Sequence, residues 1–239
     1  MADKYTDLMN DEVYEKASKL LEEGSLEAAA ALLKKSADDG NALAQCDYGV
    51  CLVEGKGVEQ DEAAAVEYWQ KSAESGFPLA MHKLGVCCFK GLCGFEQDNS
   101  KAFEYFNKAA DGGVRESMFN LAYFYQEGIG VQADLKKAVE WMEKAAEAEM
   151  PEACLNMGVL YLSGQNGVTK NEEKGVAFLR VAAEGGIPQA QFMLGCCCEV
   201  GRGEEKDLAE AAGWYRRAAR AGLEDANKSL ERLGFPGVK

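Results

Sequence analysis

Histidine and proline are scarce in this chain, and its apolar runs are short. Of 239 residues, only His82 is a histidine and four are prolines. A single histidine argues against His-based triads and dyads, and it leaves few nitrogen ligands for a metal. The longest unbroken apolar run, from Ala28 to Leu33, is far below the roughly 18 residues that indicate a membrane span. We therefore predict no catalytic, cofactor-binding or metal-binding residue, and a protein that is not an enzyme.

Basic residues are outnumbered, because 26 lysines and arginines stand against 40 aspartates and glutamates, for a net charge of −14. An acidic chain repels nucleic acid and anionic lipid, so neither nucleic acid binding nor membrane insertion is expected. A protein or peptide partner with basic residues would be attracted, although the charge could serve solubility alone. The first twelve residues lack the apolar core of a secretory signal and the composition of a transit peptide, which predicts a cytoplasmic protein.

What the chain does contain is an internal repeat of about 36 residues. Its rows begin at Ala42, Pro78, Arg115, Pro151 and Pro188. Each row opens with an apolar helix that carries a small residue at its eighth position, and a glycine-rich turn follows. Because one such unit cannot bury its apolar face alone, consecutive rows predict a stacked solenoid.

The second helix of each row has recurring start and stop signals. Its expected N-caps are Asp61, Asp98, Asp134, Asn171 and Asp207. Left-handed termini are expected at Gly76, Gly113, Gly186 and Gly222. The third row has Glu149 at that position, which predicts a less regular terminus. The fifth turn has Glu204 where other rows have valine or phenylalanine, which predicts a looser turn.

These signals predict an all-α fold, a right-handed α/α superhelical solenoid of about 13 helices without strands. We divide the chain into an N-terminal capping hairpin at 1–41, repeats at 42–77, 78–114, 115–150, 151–187 and 188–223, and a C-terminal capping helix and tail at 224–239.

Row three carries the pattern in its clearest form. The matching residues are Leu121-Ala122, Gly128-Ile129-Gly130-Val131, Asp134, Lys137-Ala138, Trp141 and Lys144-Ala145-Ala146. The pattern resembles the Sel-one-like repeat, a relative of the tetratricopeptide repeat, and the resemblance covers roughly residues 42–223. The first hairpin is more similar to a plain tetratricopeptide repeat. The resemblance implies a solenoid that binds partner proteins.

The nine cysteines are interpreted as packing residues. Their odd number excludes a complete intrachain disulfide framework. Cys196, Cys197 and Cys198 are consecutive on a helix and point about 100° apart, so they cannot converge on one metal ion. Cys88 and Cys93 could approach each other, but other ligands are few. Eight of the nine lie in predicted first helices, where buried cysteine acts as a small apolar residue.

Some secreted relatives are cysteine-rich, and the resemblance implies a disulfide between the end of one repeat and the start of the next. Cys154 lies at the early position, but the facing positions are Ala145 and Ala146. We therefore expect free cysteines, which agrees with a cytoplasmic location.

The resemblance also implies that first helices line a concave groove. At a period of 3.6 residues, row positions 2, 5, 9 and 12 share one stripe, and its middle is apolar or aromatic. An exposed apolar strip of this length is typical of a binding surface. The predicted groove residues are Val50, Val53, Val86, Phe89, Phe119, Tyr123, Gln126, Leu155, Val159, Leu162, Phe192 and Glu199. For Phe119 and Phe192, packing between neighbouring helices is an equal alternative.

We therefore predict a non-catalytic scaffold or adaptor that binds a partner helix or peptide in an apolar concave groove, as a monomer or as a subunit of a complex. An alternative is a structural subunit built permanently into a larger assembly. A third reading is a weak hydrolase of the cysteine-rich kind, against which the absent disulfide pairs and nucleophile–base pair argue.

Overall fold

The computed structural model describes residues 11–238, and that part of the chain forms thirteen α-helices with no β-strand. This confirms the predicted all-α fold. Residues 1–10 of the predicted N-terminal hairpin, and Lys239, lie outside the described part. The helices are α1 (Glu12–Glu22), α2 (Leu26–Asp38), α3 (Ala42–Glu54), α4 (Glu62–Glu74), α5 (Pro78–Lys90), α6 (Asn99–Asp111), α7 (Arg115–Glu127), α8 (Leu135–Glu147), α9 (Pro151–Ser163), α10 (Glu172–Glu184), α11 (Pro188–Val200), α12 (Leu208–Arg220) and α13 (Glu224–Arg232).

The second helix of each row begins where its capping residue predicts. The Asp61 carboxylate accepts a hydrogen bond from the Ala64 amide at 2.9 Å, and Asp134 accepts one from Lys137 at 3.1 Å. The side chains of Asp98, Asn171 and Asp207 cap their helices in the same way. Each such bond satisfies an amide that has no partner within the helix, which stabilises the helix start by about 1 kcal/mol.

The termini of the second helices are regular in all five rows, and the prediction for row three is wrong. Gly76 and Gly222 adopt φ angles of 85° and 91°, and Glu149 adopts 56°. The Met150 amide donates to the Ala145 carbonyl oxygen at 3.0 Å, which is the closing bond that the glycine termini also make. The hydrogen bonds of the terminus therefore hold Glu149 in a left-handed conformation that costs a non-glycine residue about 1–2 kcal/mol.

The chain forms two compact units, each with its own packing. Among the described residues, unit 1 comprises 11–117 and 128–132, and unit 2 comprises 118–127 and 133–238. In unit 1 each helix from α2 to α5 packs against the next helix along the chain. In unit 2 the same holds from α8 to α12. This nearest-neighbour packing is the arrangement that a repeat sequence predicts.

The small residue at the eighth position of a row allows its two helices to approach closely. A Cβ atom on Gly85 would lie 2.8 Å from the ring of Phe106, and one on Gly195 would lie 2.7 Å from the ring of Tyr215. Both rings are fully buried. A large side chain of the second helix therefore packs directly on the backbone of the first.

The fifth turn is held by side-chain bonds, so the looser turn predicted from Glu204 is wrong. Arg180 donates to the Glu204 carboxylate at 2.5 Å, and the Cys198 thiol donates to its other oxygen at 2.8 Å. Arg202 of the same turn donates to Glu172 at 3.0 Å. Charge-assisted hydrogen bonds thus replace the apolar contact of the other rows.

Most of the cysteines pack inside the helical layers. All nine are free, and seven are buried. The Cys154 thiol donates to the Ala146 carbonyl oxygen at 3.3 Å, so it faces the position that the sequence assigns to it. None of the helices in residues 11–238 is long and apolar enough to cross a bilayer.

Candidate partner-binding site

The candidate site is an open apolar pocket of about 420 Å³ in unit 2. It lies among α7, α8 and α9, and the residues that line it are Phe119, Tyr123, Gln126, Leu135, Ala138, Val139, Met142, Asn156, Val159, Leu160 and Asn166. Three of its apolar side chains are strongly exposed, namely Leu135 at 58%, Tyr123 at 46% and Val159 at 36%. Large apolar side chains grouped around one concavity are typical of a ligand or partner surface.

Helix periodicity explains the pocket wall contributed by the first helices. Phe119, Tyr123 and Gln126 are spaced by four and three residues on α7, so they share one face. Val159 occupies on α9 the row position that Tyr123 occupies on α7. The structure therefore brings together four of the twelve predicted groove residues, and it leaves the others elsewhere.

The second helix of row three supplies the pocket floor, which the sequence analysis missed. Leu135, Ala138, Val139 and Met142 follow at intervals of three, one and three residues on α8. This is an apolar stripe of one helix face, and its periodicity was readable in the sequence. The groove prediction included first helices only, whereas this stripe of the second helix α8 also lines the pocket.

Polar groups at the pocket are few and are side-chain amides. Gln126 donates to the Glu127 carboxylate at 2.9 Å, and Asn156 donates to the Met142 sulfur at 3.8 Å. Both amides keep free donor or acceptor capacity for a ligand. Among the residues that the structure describes, no group of three His, Cys, Asp or Glu side chains could hold a metal ion.

Three predicted groove residues of unit 2 pack against the interior instead. Leu162 is 5% exposed and packs on Gly175, which has no side chain at that place. Leu155 is half-buried against the core cluster. The Phe192 ring lies 5.6 Å from the Tyr215 ring, so the packing alternative applies to it. Leu162 is therefore a core residue, and the groove prediction for it is wrong.

Glu199 is held by neighbouring helices, although the prediction placed it in the groove. Its carboxylate accepts hydrogen bonds from Tyr215 at 2.7 Å and from Arg232 at 2.8 Å. The Arg232 guanidinium, with a further contribution from the Tyr215 hydroxyl, lowers the pKa of the Glu199 carboxyl. Glu199 on α11 thus forms hydrogen bonds with both α12 and α13.

The four predicted residues of unit 1 are all half-buried. Val50 and Val53 pack against the cluster that contains Cys46 and Trp69. Val86 and Phe89 are likewise only partly exposed. No strongly exposed apolar side chain lies among these four, in contrast with the pocket of unit 2.

His82 takes part in the packing of unit 1. Its Nδ1 lies 2.8 Å from the Ser117 hydroxyl, and its ring centroid lies 5.7 Å from that of Phe106. Burial lowers the pKa of His82 to about 4. Ser117 is fully buried and His82 is half-buried.

Comparison with known families gives a match over most of the chain. The family model described as Sel1 repeat matches residues 21–41, 42–77, 78–114, 115–150, 151–187 and 188–223. The last five ranges begin where the five rows begin. The first range lies within the segment predicted as a tetratricopeptide-like hairpin, so the predicted number of five repeats is one too few.

Solved and curated proteins are similar to the chain over different lengths. A Sel1 repeat protein from Oxalobacter formigenes shares 30% identity with a TM-score of 0.78, covering 86% of this chain and 59% of that one. The chitin synthase regulator SKT5 of Malassezia restricta is 36% identical over 30% of this chain and 5% of its own length. Chitin synthase regulatory factor 2 of Schizosaccharomyces pombe is 26% identical over 87% of this chain and 35% of its own length. The chain thus spans only a minor part of these curated relatives.

Proposed function

Because the chain belongs to the Sel1 repeat family, we propose that it is a non-catalytic scaffold that binds a partner protein, and that the pocket among α7, α8 and α9 is where the partner docks. The observation that carries the proposal is the joint exposure of Tyr123, Leu135 and Val159 around one concavity. Apolar area left in water costs about 25 cal/mol per Å², so covering it drives association.

The shape and chemistry of the pocket favour one kind of occupant. About 420 Å³ accommodates one or two large apolar side chains, as an amphipathic helix presents them at intervals of three or four residues. The amides of Gln126, Asn156 and Asn166 would fix their orientation through hydrogen bonds. The net charge of −14 favours a partner whose flanking residues are basic, since opposite charge accelerates encounter.

The comparisons support a partner protein in general terms. Two of the similar proteins are named as regulators of chitin synthase, a description of proteins that act on another protein. The identity of that target is not carried over, because the chain spans 5% of one regulator and 35% of the other.

Site-specific photo-crosslinking tests the pocket directly. A photoreactive phenylalanine is placed at Tyr123 in one protein and at Val200 in a second, and both are irradiated in an extract of the native source. Val200 is the matched control, because it is 67% exposed in the same unit and does not line the pocket. We expect one defined adduct from position 123 and none at that mass from position 200.

A competing substitution decides between specific and incidental adducts. Val159→Arg places a charge in the pocket, and it should remove the adduct formed from position 123 while the helical circular dichroism is unchanged. An adduct that survives Val159→Arg, or that forms equally from position 200, would show that this pocket is not the docking site.

A further inference from the structure

The turn after α5 folds back onto the last turn of that helix. The Leu92 amide donates to the Cys87 carbonyl oxygen at 3.0 Å, so the residue that precedes Cys93 is held at Cys87. The Cys87 thiol is positioned to donate to the Cys93 sulfur, and Cys93 packs against the same cluster as Cys87. The structure thus brings Cys87 next to Cys93, whereas the sequence suggested Cys88.

Cys93 occupies a backbone conformation that cysteine does not favour. Its φ is 54°, and the following Gly94 has a φ of 80°. In the other long turn, Asn166 and Gly167 take the same two positions with φ angles of 54° and 80°. Asparagine tolerates the left-handed region better than cysteine does, so the turn geometry alone would favour asparagine here. An unfavourable residue held in place points to a role for its side chain.

The Cys87 and Cys93 thiols differ in solvent exposure. Cys87 is 4% exposed, and Cys93 is half-buried at the surface of the turn beside the Glu62 carboxylate. Burial, followed by the adjacent Cys93, raises the pKa of Cys87 to about 12, and burial also raises the pKa of Cys93. Both groups are therefore thiols at neutral pH, which excludes the fast thiolate chemistry of a catalytic cysteine and leaves slow exchange.

We propose that Cys87 and Cys93 are a reversible dithiol–disulfide site that is oxidised by low-molecular-weight disulfides such as glutathione disulfide. The Cys93 thiol passes its proton to Glu62, and its sulfur attacks one sulfur of the small disulfide. The S–S bond breaks, a mixed disulfide forms, and the departing small thiolate takes the proton back from Glu62. Cys87 then gives its proton to solvent, and its sulfur attacks the Cys93 sulfur. The second small thiolate leaves and is protonated by solvent. Two electrons and two protons pass from the protein to the small disulfide. The site lies in unit 1 and does not depend on the proposed pocket.

Mass spectrometry of the full-length protein after incubation with glutathione disulfide tests the proposal. Remaining thiols are alkylated under denaturing conditions, and trypsin then cuts after Lys90, between the two cysteines. We expect the peptides 84–90 and 91–101 to appear joined, lighter by two hydrogens than their sum, and to separate on reduction. The other seven of the nine cysteines should be alkylated.

Matched variants show which cysteine of peptide 84–90 forms the disulfide with Cys93, because that peptide contains both Cys87 and Cys88. Cys88→Ala should leave the linked peptide unchanged and Cys87→Ala should abolish it. Cys93→Asn, which copies the residue of the other long turn, should abolish it without loss of helical signal. The proposal is overturned if the link survives Cys87→Ala, if Cys93 stops at the mixed disulfide, or if all nine cysteines alkylate after incubation.

Discussion

Two regions of unit 2 carry the same row positions but place those residues in different surroundings. In α11, Phe192 packs on Tyr215, and Glu199 is bonded by Tyr215 and Arg232. In α7, the corresponding Phe119 and Gln126 line an open pocket. We call these the closed region, α11 to α13, and the open region, α7 to α9.

The two regions differ at one position of the second helix, which is Tyr215 in row five and Met142 in row three. Tyr215 and Met142 occupy equivalent positions in rows five and three. The Tyr215 hydroxyl reaches Glu199 and the Cys196 sulfur on the first helix, at 2.7 and 3.3 Å. Met142 has no hydroxyl, and its side chain lies in the pocket floor. The register of a helix decides which residues share a face, and the neighbouring side chain decides whether that face is covered.

The largest expected effect is on stability in the closed region. Tyr215→Ala removes a fully buried ring, and we expect the free energy of unfolding to fall by about 3–5 kcal/mol. Tyr123→Ala in the open region should change it by no more than about 0.5 kcal/mol, because that ring is 46% exposed. Urea unfolding of both variants measures these two changes. Equal losses in the free energy of unfolding would contradict the contrast between the closed and open regions.

A pair on α9 sharpens the contrast within one helix. Leu162→Ala should cost about 2–4 kcal/mol, since the side chain is buried against Gly175. Val159→Ala, three residues earlier and in the pocket, should cost less than about 1 kcal/mol and should weaken partner binding instead. Thermal unfolding together with the crosslinking assay distinguishes the two roles. Equal destabilisation by both substitutions would place Val159 in the core.

The helix termini of the two regions should respond in opposite directions. Glu149→Gly relieves a left-handed glutamate between α8 and α9, and we expect a gain of about 1 kcal/mol. Gly222→Ala, at the equivalent terminus between α12 and α13, should lose about 1 kcal/mol, because its φ is 91°. Denaturant midpoints report both changes. A loss on Glu149→Gly would mean that the glutamate side chain contributes more than its backbone costs.

The smallest expected effect is the pH dependence that Glu199 contributes in the closed region. The folded-state pKa of Glu199 is lowered, first by Arg232, so its ionised form stabilises the fold above the unfolded pKa of about 4.3. That contribution is lost as the pH falls through the folded pKa. Because Arg232 is largely exposed, we expect at most about 1 kcal/mol. Glu199→Gln should therefore be less stable than wild type at pH 7 and equal to it at pH 2, as measured by urea unfolding. A difference that persists at pH 2 would show that the charge of Glu199 is not its source.

Local signals in the sequence predicted the helices well, because each depends on a few adjacent residues. The capping aspartates begin their helices where expected, and the glycines end them. The predictions of an irregular terminus at Glu149 and a looser turn at Glu204 were wrong for one shared reason. Each glutamate departs from the preferred residue type, and each is held by hydrogen bonds whose partners are set by the fold.

Four of the twelve predicted groove residues line one pocket, and the binding of a partner there stays a prediction. Phe119, Tyr123, Gln126 and Val159 meet at one pocket, whereas Leu162 and Glu199 are engaged in packing and ion pairing. The sequence by itself determined the repeat length, the helix boundaries and the face that each residue shares, since these follow from backbone hydrogen bonding over a few residues. Only the tertiary structure decided which of those faces stay open, because exposure depends on side chains such as Tyr215, Arg232 and Met142 that arrive from other helices.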